Sequence, residues 1–234
     1  MKLTALYEAL IFIEDKKEVT LDDLNFLDKP VLRGILGKME AMKLVEKHDP
    51  SKFRISKKGQ ALLNQYLDNL HMSTSHWDGK WRAVCFSMPE QMRPLRDKFR
   101  RELEFMGLKM ILTGLWITPL DLASKIEEKA KEIGIFKKVL IIETDNLRSG
   151  ISKEELQDLW GFEKSKEEIY EYIEDAQKYI SSEDKSSFGL KKMIFRYALI
   201  LENQPKVPIE LFPKDWPQFR ANLIYKKIRR QLIG

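Results

Sequence analysis

The chain has 234 residues, 43% of them hydrophobic and 33% charged, which is enough apolar material for folded cores and too much for a disordered chain. A single cysteine, Cys85, excludes an intramolecular disulfide framework, and no run approaches the roughly 18 apolar residues of a membrane-spanning helix. The net charge of +5 is too small to imply nucleic acid by itself.

Leu3, Leu6, Leu10 and Ile13 fall at helical spacing and predict a first helix over 3–17. Glu8 interrupts its apolar run, Glu14 and Asp15 follow, and no small-residue cleavage site appears. The stretch is therefore expected to be a helix of a cytoplasmic protein with no membrane contact, not a signal peptide. Thr20 offers an N-cap for a second helix whose first turn carries Asp22 and Asp23, where the helix dipole favours acids. Pro30 suits the first turn of a third helix running to Leu44, with Leu32, Leu36 and Met39 on one face. Two short alternating strands then flank His48-Asp49-Pro50-Ser51, a hairpin turn signal, and KKGQALLNQYLDNL closes the unit as a helix.

Three helices, a charged hairpin and a helix within residues 1–70 predict a winged helix-turn-helix. Such units put their second helix into the DNA major groove. Lys29, Arg33, Gly34, Gly37 and Lys38 lie away from the apolar stripe of the third helix, where an arginine can read a guanine edge and glycines admit a close backbone. Lys47, His48, Lys52 and Arg54 would ride the hairpin beside phosphates. A winged helix can equally be a protein-contact module, and residues 1–70 carry only 12 basic against 11 acidic side chains.

Residues 71–80 read as a linker, beginning with the polar HMSTSH. Over 81–150 the order is strand (Trp81–Met88), helix to Gly107, strand (Lys109–Thr118), helix (Leu120–Ile133) and strand (Lys137–Glu143). That order suggests a ferredoxin-like α+β domain whose fourth strand is hidden. Residues 151–234 read as a helical C-terminal domain. Its charge is polarised: 151–184 hold 4 basic and 11 acidic residues, 185–234 hold 11 and 3. The split suggests acidic and basic surfaces that face each other, with Lys226, Lys227, Arg229 and Arg230 answering the acidic helix Glu163–Asp175 within one subunit or across a dimer.

Trp77-Asp78-Gly79-Lys80-Trp81-Arg82, then Pro89-Glu90, Gly107, and Gly114-Leu115-Trp116-Ile117 with Pro119 resemble the central domain of the phenylacetate-degradation repressor (PaaX-like) family. Leu211, Pro213, Asp215, Trp216, Pro217, Ala221 and Leu223 match that family's C-terminal motif, with Gln218 where the family has glycine. The resemblance implies a homodimeric transcriptional repressor that binds double-stranded operator DNA and is released by a small acyl-CoA-type effector. Arg93, Arg96 and Arg100, at helical spacing, are candidates for the phosphates of such an effector, although Asp97, Glu102 and Glu104 are interleaved as on an ordinary solvated helix.

The central domain is also similar to the CRISPR-associated small nuclease fold, where an aspartate at the end of the first strand helps hold a metal. Ser87 stands at that position, and a neutral hydroxyl with Glu90 is a poor set for a hard divalent cation. His71, His76 and Cys85 lack zinc-ligand spacing, and no phosphate-loop, dinucleotide or nucleophile-elbow motif is present. The expectation is a regulator without catalysis, metal or cofactor. A protein-interaction scaffold is the rival reading, and a metal-dependent nuclease the second.

Overall fold

The computed structural model describes residues 3–49, 51–71, 75–147, 153–183 and 185–233. In chain order the elements are α1 (Ala5–Lys16), β1 (Val19–Thr20), α2 (Lys29–Ala41), β2 (Val45–Asp49), β3 (Lys52–Ile55), α3 (Lys57–Leu67), β4 (Trp81–Phe86), α4 (Arg93–Phe105), β5 (Lys109–Leu112), β6 (Leu115–Thr118), α5 (Ala123–Glu132), β7 (Val139–Thr144), α6 (Lys153–Trp160), α7 (Phe162–Ser181), α8 (Ser187–Glu202) and α9 (Gln218–Ile233). They gather into two compact units. One comprises Met1–Met72, Ser165–Gln204 and Pro217–Gly234; the other comprises Ser73–Lys164 and Pro205–Trp216. None of the described helices is long and apolar enough to cross a membrane.

In the first unit, α1 buries Ala9, Leu10, Ile11 and Ile13. The second predicted helix is reduced to one 3-10 turn, Asp22–Leu24. Val19 and Thr20 are drawn into pairing with β3, and the Thr20 amide and hydroxyl both donate to Asp23 at 2.7 Å. Too few residues then remain before α2 for a cooperative helix. The three strands pair antiparallel in the order β1-β3-β2. Ser56 caps α3 by accepting from the Gly59 amide at 3.0 Å. Gly59 itself is required by space, since a Cβ there would stand 2.2 Å from the Leu44 carbonyl oxygen.

The core of this unit does not end with α3. Phe195 and Leu199 of α8 belong to the same buried cluster as Leu10, Leu24, Met39 and Phe53. The Tyr7 hydroxyl donates to Tyr66 at 2.6 Å, and the Phe195 ring lies 5.3 Å from Tyr7 and 5.6 Å from Tyr66. Lys191 reaches Glu14 at 2.7 Å and Asp15 at 3.1 Å, while Lys192 reaches Glu8 at 3.0 Å. Tyr172, Tyr197 and Tyr225 then join α7, α8 and α9 by successive ring contacts of 5.1 and 5.3 Å. Packing thus groups residues 3–71 with α8 and α9, across the division into 1–70 and 151–234 that composition suggests. An ion pair joins the acidic and basic segments as their charge split suggests. Arg196 of α8 answers Asp175 at 2.6 Å, whereas no ion pair joins Lys226, Lys227, Arg229 or Arg230 to α7 among the described residues.

The second unit is a ferredoxin-like α+β domain. Its four antiparallel strands run β5-β6-β4-β7, with α4 and α5 on one face. The run Lys109–Thr118, which reads as one strand, is two strands folded at Thr113-Gly114, where Gly114 takes φ +80°. This supplies the fourth strand. Val84, Phe99, Leu103, Trp116 and Ile126 fill the core under the helices. On the other face, Ala83 and Ile117 meet Trp160, Phe162 and Val207. The segment read as linker is fastened to this unit: Glu210 accepts from the Trp77 amide at 2.9 Å and pairs with His76 at 2.8 Å. The last motif acts in the same way, with Phe212 and Trp216 packed edge-on against Phe162.

Candidate nucleic-acid interface and basic groove

Helix α2 presents two unlike faces. Leu32, Leu36 and Met39 are buried, while Val31, Arg33, Gly34, Gly37 and Lys38 are exposed. The side chain of Lys29 lies outside the described residues. Neither glycine has a packing reason: nothing stands within 4 Å of a Cβ built at Gly34 or Gly37. Each costs the helix about 1 kcal/mol relative to alanine. Among the described residues, Arg33 and Lys38 have no ion-pair partner.

The hairpin cations are arranged otherwise. Lys47 pairs with Glu40 at 2.9 Å and lies over the Phe53 ring. Lys52 and Arg54 converge on Glu18, at 3.1 and 2.8 Å, and hold that carboxyl below its usual range. His48 is exposed in β2, and Pro50 at the tip lies outside the described residues. Arg33, Gly34, Gly37 and Lys38 are therefore bare groups on α2, whereas Lys47, Lys52 and Arg54 of the hairpin are ion-paired.

The tryptophan-rich motif of the second unit proves architectural. Arg82 is 2% exposed, and its guanidinium is held by Asp78 at 2.8 Å, Asp121 at 3.0 Å and Glu143 at 3.6 Å. The hydrogen bonds from Arg82 hold the Asp78 carboxyl down to about 2. Lys80 contributes its carbonyl, which accepts from Arg82 at 3.2 Å. Trp77 and Trp81 stand edge-on at 6.0 Å, and Trp81 lies 6.2 Å from Trp160.

Of the arginines on α4, Arg93 is tied to Glu90 at 3.3 Å and Asp97 at 3.7 Å on the exposed surface. Arg96 and Arg100 instead line an open groove of about 990 Å³ at the end of the sheet, together with Ser87, Lys137 and Lys138. Ser87 is exposed there. Sequence reasoning missed Lys137 and Lys138, because a Lys-Lys pair ahead of a strand reads as ordinary solvated surface. Among the described residues, no group of three or more His, Cys, Asp and Glu is placed to hold a metal ion. His76 is engaged by Glu210, and Cys85 is a half-buried residue of β4.

Comparison with known proteins gives a match over the central domain and a likeness of fold. Residues 74–156 match the family described as the PaaX protein central Cas2-like domain. The uncharacterized protein Rv0674 from Mycobacterium tuberculosis is similar in structure at a TM-score of 0.54. It is 18% identical, and the alignment covers 99% of this chain and 89% of that one, so the likeness is one of fold. No curated protein matches the chain.

Proposed function

We propose that the chain is a transcriptional regulator of the PaaX type, most simply a homodimeric repressor, that binds double-stranded DNA through α2. The family-level resemblance of the central domain supports a regulatory role. One observation carries the DNA reading: α2 exposes Arg33 and Lys38 without ion-pair partners among the described residues, beside two glycines with open space above them. A surface that spends helix stability on bare backbone between bare cations suits a partner that is closely approached and negatively charged. The order α1, a 3-10 turn, α2, a β2–β3 hairpin and α3 supports the reading of a winged helix-turn-helix with α2 as recognition helix. In this reading the hairpin cations act less strongly, since Glu18 and Glu40 already share their charge.

The regulator acts without a catalytic step. Ser87 stands where the nuclease-like fold would place a metal-binding aspartate, and the cations beside it repel a divalent ion. A small acyl-CoA-type effector is the release signal that the family resemblance suggests. Such an effector works only if it prefers the arrangement that does not bind DNA.

The reading is tested on duplex DNA with the whole chain. Arg33→Ala is expected to weaken binding by roughly 1–3 kcal/mol and to relax specificity at one position, as for an arginine on a base edge. Lys38→Ala is expected to weaken all sequences alike and lower the salt slope by about 1. Unchanged affinity in both variants removes α2 from the interface and moves the weight to a protein-contact module.

A further inference from the structure

We propose that the chain pairs with a second copy of itself through the outer faces of α7 and α9, each copy giving both faces. Phe219, Leu223, Lys226, Arg230 and Ile233 recur on α9 at steps of four and three residues and form one stripe. That stripe turns away from the core, which takes Ala221, Ile224, Tyr225 and Ile228. Phe219 is 76% exposed, Leu223 46% and Ile233 74%, so apolar side chains stand in water along one helix face. The same helix carries Arg220, Lys226, Lys227, Arg229 and Arg230 and no acid. Lys226, Lys227, Arg229 and Arg230 are exposed and have no ion-pair partner among the described residues.

Helix α7 supplies the complement within the same compact unit. Its outer stripe, Glu167, Tyr170 and Glu174, follows the same spacing and is exposed. Neither glutamate has an ion-pair partner among the described residues. Arg220 of α9 donates to Gln177 of α7 at 3.4 Å, so the two helices are neighbours on that unit. On α9, Lys226, Arg229, Arg230 and Ile233 line an open recess of about 390 Å³. A tyrosine ring suits such a recess, since cations are drawn to its face and apolar atoms pack against it. With Tyr170 of the second copy seated there, Glu167 and Glu174, one turn to either side, come opposite Lys226 and Arg230. Two faces on one unit, each complementary to the other and not to itself, meet reciprocally about a two-fold axis. A duplex is the poorer occupant. Its phosphates gain nothing from Phe219, Leu223 and Ile233, and the glutamates of α7 repel them.

This pairing rests on the homodimer of the proposed function and gives it a surface. The test is sedimentation velocity of the whole chain over a range of concentrations. Lys226→Glu with Arg230→Glu reverses one face, and Glu167→Lys with Glu174→Lys reverses the other. We expect the wild type to dimerise, and each double variant to raise the dimer dissociation constant by about a hundredfold or more, since like charges then meet in both contacts. An equimolar mixture of the two variants should dimerise again, because acid meets base in both contacts of the mixed pair. All of these positions are exposed, and a variant that failed to fold could not be rescued in this way. Tyr170→Ala, a milder change, should weaken the dimer about tenfold. The proposal is overturned if the double variants and Tyr170→Ala all dimerise as the wild type does, which leaves the homodimer standing on another surface. Loss of the dimer in both double variants without recovery in the mixture overturns it too. Reversal of α9 that spares the dimer but removes duplex binding assigns the face to nucleic acid and equally overturns it. A wild type that stays monomeric at every concentration refutes the homodimer itself along with this surface.

Discussion

Replacing Arg82 by methionine keeps most of the buried volume and removes the guanidinium on which three carboxylates converge. Arg82 is 3% exposed at its side chain, while Asp78, Glu143 and Asp121 are 40%, 39% and 77% exposed. Breaking a buried pair costs about 3–5 kcal/mol, because one partner is left uncompensated. Here the orphaned carboxylates are already partly in water and can regain hydration, so the lower end, about 3 kcal/mol, is expected. At a urea slope of about 1–3 kcal/mol per molar, the midpoint should fall by about 1–3 M. The chain carries its own reporter for this unit. Its five tryptophans, Trp77, Trp81, Trp116, Trp160 and Trp216, all lie in the second unit, and its seven tyrosines all lie in the first. Tryptophan fluorescence therefore follows the unfolding of the unit that holds Arg82.

A pH series separates the ion pair from simple loss of packing. The Asp78 carboxyl is held at about 2 against an ordinary 3.8, chiefly by its hydrogen bonds from Arg82. A depressed carboxylate contributes stability that is fully present above its unfolded pKa and lost as pH falls through the folded one. The gap between wild type and Arg82→Met should therefore narrow as pH falls from about 4 to about 2. A gap below about 1 kcal/mol near neutrality refutes the reasoning, and so does a gap that stays constant across that window.

Three further outcomes follow from the first unit. Gly59→Ala drives a methyl into the Leu44 carbonyl oxygen and should cost about 1–3 kcal/mol or more, measured by urea unfolding followed by circular dichroism. Gly34→Ala and Gly37→Ala meet open space and should each stabilise the helix by about 1 kcal/mol; on the proposed function the same two changes should weaken duplex binding, a pairing that gel-shift and unfolding assays check together. Lys191→Met removes the cation shared by Glu14 and Asp15 and should cost about 1–3 kcal/mol near neutrality. Burial pushes Asp15 up, but its bonds from Ser187 and Lys191 outweigh that and leave it below its ordinary range. The Lys191 effect should accordingly fade as pH drops below the ordinary carboxylate range, and an effect that persists in acid would show that packing, not charge, is what was lost.

Much of the fold is written in periodicity. The buried stripes of α2 and α4 recur every three or four residues, and α1 and α3 begin and end within a few residues of where their patterns place them. The hairpin β5–β6 is hidden because KMILTGLWIT is almost unbroken apolar sequence, and its two-residue Thr-Gly turn is the only mark of reversal. The second predicted helix fails for a different reason. Strand pairing of Val19 and Thr20 with β3 is a long-range choice that local capping signals do not encode.

The place of α8 is equally illegible. It buries Leu190, Phe195, Tyr197, Ala198, Leu199 and Ile200 around most of its circumference, which marks a central helix without saying which neighbours surround it. In the candidate sites, the exposed face of α2 follows from its own spacing. The groove does not, because Arg96 and Arg100 are brought to Lys137 and Lys138 only by the closing of the sheet.

On the proposed function α2 reads duplex DNA, and selection from a pool of random duplexes at two salt concentrations tests this. A dimeric reader of this kind should enrich an inverted repeat, with half-sites about one helical turn apart and affinity falling steeply with salt. Weak binding without enrichment, at either salt concentration, would contradict it.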